Sequence, residues 1–140
     1  MKKNVARVVM GFLVAPGIPA LIMYLAQVLT IGHREAMQGA YVLAIIGYCS
    51  AIVLGIPIYF VLLYKKIYSL LAYLVLGALT GVAYYGLLFI PTFFSNLQFG
   101  LDLALSTLKN TLGLGLIGII GGSIASSVFW WIAVKNNKVT

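Results

Sequence analysis

Four stretches of this chain, Val8–Leu29, Ala40–Leu63, Ile67–Ile90 and Leu112–Val134, contain no charged residue and run for 22, 24, 24 and 23 residues. At about 1.5 Å of rise per residue, 22 residues of helix reach about 33 Å, enough to cross a hydrocarbon core of about 30 Å. Gly and Pro inside these runs would interrupt a helix in water. In lipid every backbone polar group must be satisfied within the segment, so helix remains the default. The chain therefore reads as an all-α polytopic membrane protein, a four-transmembrane-helix bundle forming one domain over residues 1–140.

Composition supports this reading. The chain is 63% hydrophobic and 8% charged, with two acids against nine Lys and Arg, whereas a soluble domain carries about 25% charged residues. The formal charge of +7 is not a nucleic-acid footprint, because the basic residues stand singly or in pairs between apolar runs rather than along one face. One cysteine rules out an intramolecular disulfide and a cysteine-rich metal site. No cofactor is expected.

Positive charge sets the expected orientation. Lys2, Lys3, Arg7, Lys65, Lys66, Lys135 and Lys138 fall on one side of the four runs, and Arg34 and Lys109 on the other, which places both termini in the cytoplasm. The basic start followed by an apolar run suggests a signal peptide, but the run exceeds the usual apolar region of about 7–15 residues. The compact design and the lack of organelle signals point to a bacterial inner membrane.

The connections are short. Tyr64-Lys65-Lys66 is expected to fold spans two and three into an antiparallel hairpin, and Thr30–Gly39 to form a first outer loop. In the longer outer connection Pro91 is expected to end the third span, and Ser95 and Gln98 have capping-box spacing. Leu97, Leu101, Leu105, Leu108 and Leu112 then recur every three or four residues. This outer amphipathic segment, about 95–111, would lie on the outer leaflet or run straight into the fourth span.

Small residues recur at helical spacing within the spans: Gly47, Ala51 and Gly55 in the second, Gly77 and Gly81 in the third, and Gly115, Gly118, Gly122 and Ser126 in the fourth. Such stripes let helix backbones approach closely, either within one bundle or between copies of the chain. Pro16, Pro19 and Pro57 each remove a backbone donor and free a carbonyl one turn earlier, so kinks are expected there. The deeper tyrosine hydroxyls are expected to bond to neighbouring helices, including carbonyls freed at the prolines, or to line a crevice for an apolar ligand.

No Asp, Glu, Lys, Arg or His lies within any span. Ion-coupled carriers and proton relays depend on such groups, so a secondary transporter is disfavoured. The outer cluster His33-Arg34-Glu35 offers too few ligands for a structural metal and has no matching nucleophile. With Asp102 it is read as an outer-face contact for a stimulus or partner, while Lys65 and Lys66 face anionic lipid or an acidic cytosolic partner.

In size and span number the chain resembles the small four-span proteins that serve as bacteriocin immunity proteins, phage-exclusion factors or membrane subunits of defence complexes; this resemblance carries no site residues. The expected function is a non-enzymatic inner-membrane protein acting as an oligomeric sensor or as the anchoring subunit of a membrane complex. The alternative is a homo-oligomeric channel or small-molecule exporter.

Overall fold

A computed structural model describes residues 2–135, and within them not the side chains of residues 2–4, 88, 104, 110, 111 and 114. Lys138 lies outside the described residues. The elements in chain order are α1 (Lys2–Val14), α2 (Gly17–Ile31), α3 (His33–Ser50), a π-helical turn (Ala51–Gly55), α4 (Ile56–Tyr64), α5 (Leu70–Leu97), α6 (Leu101–Phe129) and a second π-helical turn (Trp130–Val134). The described chain is all-helical, and four helical stretches are long and apolar enough to cross a membrane: Val5–Ile31, His33–Tyr64, Leu70–Leu97 and Gly115–Val134.

The helices outrun the apolar runs, and both outer connections change accordingly. The expected loop Thr30–Gly39 shrinks to Gly32 at φ 89°, with α2 ending at Ile31 and α3 starting at His33. Only a residue free of a Cβ takes that backbone without strain, so one glycine reverses the chain. Pro91 does not end its helix but lies inside α5, which continues to Leu97. The segment 95–111 is not one helix either. It is divided by Gln98–Gly100, with Gly100 at φ 128°, and its second part is the start of α6. Asn96 Nδ2 donates to Thr107 Oγ1 at 2.8 Å, tying the two helix ends together beyond the turn.

At the opposite end, Ile67 N donates to Leu62 O at 2.9 Å and Lys66 N to Leu63 O at 3.1 Å, with Lys66 in the left-handed region at φ 53°. This is the double bond pattern that closes many helix C-termini, with lysine in the place usually taken by glycine. The turn is tight, yet it does not make α4 and α5 the main pair. Close pairing is between α2 and α3 and between α5 and α6, and the two resulting hairpins meet chiefly where α1 packs on Trp130–Val134. Spans two and three thus belong to different hairpins, because the small-residue faces that permit close approach point elsewhere.

The expected kink prolines differ in their surroundings. Ala15 and Pro16 form a turn between α1 and α2, and Pro19 sits in the first turn of α2. Pro57 occupies the first turn of α4 directly after the π-helical turn Ala51–Gly55. There Ile56 N reaches Ala51 O, so the ladder has already shifted register where the missing Pro57 donor would otherwise break it.

Candidate functional site

The two hairpins are held together at the end that carries Lys65, Lys66 and Lys135. Phe129 and Tyr73 are buried there with Ala15, Leu62, Ala133 and Val134. Phe129 is the hub of the rings, with centroids 4.5 Å from Phe12, 5.4 Å from Tyr59 and 6.2 Å from Tyr73. Trp130 Nε1 donates to Tyr68 O at 2.8 Å, so the indole closes this floor with its polar edge satisfied.

Above the floor lies a cleft of about 140 Å³ between the hairpins, with Pro16, Gly47, Gly77, Tyr84, Gly122 and Ser126 among its lining. A wider, open-sided chamber of about 650 Å³ lies beside it toward the end that carries Glu35. The two share Leu43, Ile46 and Tyr85. The cleft is apolar by construction. Ser50 Oγ donates to Gly47 O, Thr80 Oγ1 to Gly77 O, and Ser126 and Ser127 Oγ to Ser123 O, at 2.7–3.0 Å. These Ser and Thr hydroxyls therefore bond within their own helix, while the tyrosines Tyr59, Tyr73, Tyr84 and Tyr85 also line the cleft.

The walls differ in how they are built. In α5 and α6, a Cβ on Gly77 would overlap the Ser126 hydroxyl and the Gly122 carbonyl, and one on Gly81 would overlap the Gly118 backbone. A Cβ on Gly118 would lie 2.9 Å from Gly81 O. Gly77, Gly81, Gly118, Gly122 and Ser126 thus form one backbone-to-backbone seam inside the chain, gaining dispersion contacts that lipid cannot match. Gly115 stands apart from the seam, since a Cβ there would meet nothing within 4 Å. In the other hairpin Gly47 packs on Pro16, where a Cβ would lie 3.0 Å from the Pro16 carbonyl oxygen, and Gly55 faces Phe12 with Ala51 beside it.

Two tyrosine hydroxyls tie α3 to the preceding helices. Tyr48 donates to Leu13 O at 2.6 Å, a carbonyl in the last turn of α1 beside the Ala15–Pro16 break, where helix ends leave acceptors to be satisfied. Tyr24 Oη lies 2.8 Å from His33 Nδ1, bridging α2 and α3 across Gly32. His33, Arg34 and Glu35 are exposed in the first turn of α3 rather than in a loop, and Asp102 is exposed in the first turn of α6. The only two acids of the chain therefore occupy helix N-termini, where the partial positive charge favours them. Lys65 and Lys66 are exposed at the opposite end.

Of the outer cluster, Glu35 lines the chamber, whereas His33, Arg34 and Asp102 do not. The expected outer-face group His33, Arg34, Glu35 and Asp102 thus divides, and neither the ring hub nor the rest of the chamber wall belongs to it. The signal for the wall was present as helical spacing: Glu35, Gly39, Val42 and Ile46 share a face of α3, and Tyr85, Phe89 and Thr92 share one of α5. Among the described residues no group of three or more His, Cys, Asp or Glu side chains is placed to hold a metal ion. No protein-family model, curated protein or solved structure matches this chain.

Proposed function

We propose that the chain is a non-enzymatic multi-pass protein of the bacterial inner membrane, with both termini cytoplasmic, acting as the sensing or anchoring subunit of a membrane complex. The carrying observation is the one-ended cleft: two hairpins joined over a ring-packed floor at the basic end and parted by a chamber at the end that carries Glu35. In this reading an apolar ligand enters between the hairpins from the bilayer or the outer face. Parting of the hairpins is then conveyed to Lys65, Lys66 and the basic tails, which hold anionic lipid or an acidic cytosolic partner. Homo-oligomerisation and a setting of the immunity, exclusion or defence type belong to the same proposal.

A conducting pore is less well supported. Within one chain the ring cluster lies across the floor of the cleft, so a pore would have to run between copies. The seam glycines that could have formed such a contact are already occupied between α5 and α6.

Native mass spectrometry of the protein extracted gently from its own membranes tests the proposal. The expected spectrum is a complex heavier than the 15.1 kDa chain, carrying a second polypeptide or further copies, and losing the former when Lys65 and Lys66 are both changed to Glu. A bare monomer, together with ion flux in liposomes containing this protein alone, would overturn it.

A further inference from the structure

The chamber at the Glu35 end has a chemical bias that the deeper cleft lacks. Its lining is mainly apolar, with Met23, Leu43, Tyr85 and Phe89, but also carries Gln38 and Thr92, and Glu35 is the single charged residue among the described residues that line it. The cations at that end, Arg34 and Lys109, are exposed and do not line it. Glu35 is itself exposed while lining the chamber, in the first turn of α3, where a negative side chain suits the helix dipole. Aromatic side chains add faces that attract positive charge. The geometry is also elongated. Glu35 and Ile46 lie on one face of α3, about 16 Å apart at about 1.5 Å per residue, and Ile46 also lines the deeper cleft.

We propose that this chamber binds a lipophilic cation, an amphiphile whose apolar body lies between α3 and α5 and whose positive head sits at the Glu35 carboxylate. The inference rests on the cleft reading above and names the class of ligand. Anionic amphiphiles are disfavoured by the Glu35 carboxylate, and a neutral one makes no use of it. A zwitterionic phospholipid would bring its phosphate to the same carboxylate and is disfavoured for that reason.

The test uses the full chain in phosphatidylcholine nanodiscs with two probes, the cation tetraphenylphosphonium and the neutral fluorophore N-phenyl-1-naphthylamine. Saturable binding of tetraphenylphosphonium above that of empty discs is expected. Glu35→Gln should weaken it by about two- to fivefold, the scale of losing one exposed charge pair, and Glu35→Asp should retain most of it. Glu35→Gln should leave the neutral probe's binding unchanged, which also shows that the variant is folded, and Leu43→Trp should weaken binding of both probes by adding bulk at a residue that lines both cavities. Undiminished binding of tetraphenylphosphonium by Glu35→Gln overturns the cation assignment. If the neutral probe is still displaced by Leu43→Trp in that case, the cleft reading stands without it. Binding of neither probe by the unaltered protein overturns both.

Discussion

The two hairpins solve the same packing problem by opposite means. In α5 and α6 side chains are removed, and backbone meets backbone along Gly77, Gly81, Gly118 and Gly122. In the first hairpin the helix is broken at Ala15–Pro16, and the break is bridged by the Tyr48 hydroxyl on Leu13 O and by Gly47 against Pro16. The first arrangement has no slack, because a carbonyl cannot rotate away as a side chain can. The second places its polar link at a helix terminus, where local rearrangement costs little. In the proposed function, α5 and α6 are the stiff side and the α1–α3 side is the part expected to move on ligand entry.

The sharpest way to break this contrast is Gly81→Val. The added carbons would overlap the Gly118 backbone, and the expected result is loss of folded protein, read as failure to recover a monodisperse species on size exclusion in mild detergent. A Gly81→Val protein of normal stability would show that the seam has slack. Next comes Phe129→Ala, which removes the hub shared by Phe12, Tyr59 and Tyr73. It should cost about 3 kcal/mol in unfolding by graded sodium dodecyl sulfate and release the hairpins from each other without parting α5 from α6. Disulfide trapping of cysteine pairs across each interface separates those outcomes.

Smaller effects sharpen the comparison. Tyr48→Phe removes the hydrogen bond to Leu13 O and should cost about 1 kcal/mol, in line with interhelical bonds in lipid, with the loss confined to the first hairpin in hydrogen exchange. Protection lost equally in α5 and α6 would contradict the assignment of stiffness. Gly115→Ala should change stability by less than about 0.5 kcal/mol, because its Cβ enters open space. It separates the seam from glycine content as such.

The apolar runs were sufficient to locate four helices, because the requirement for internal hydrogen bonding in lipid acts on each segment alone. Proline is a less direct guide: the chain turns at Ala15–Pro16, whereas α5 runs through Pro91. Helix ends were not legible in this way. Hydropathy marks where a run turns polar, whereas the hydrogen-bond ladder stops only where the backbone must reverse, at Gly32 and Gly100. Partner choice was decided only in three dimensions. Glycine spacing shows that a face is bare but not which face it meets, and the short Lys65-Lys66 turn suggested a pairing that the Gly81–Gly118 approach overrides. Glu35 illustrates the same limit: sequence placed it in a polar cluster, and only the separation of the two hairpins set it on the wall of an apolar chamber, because which charges share a cavity depends on how distant helices pack.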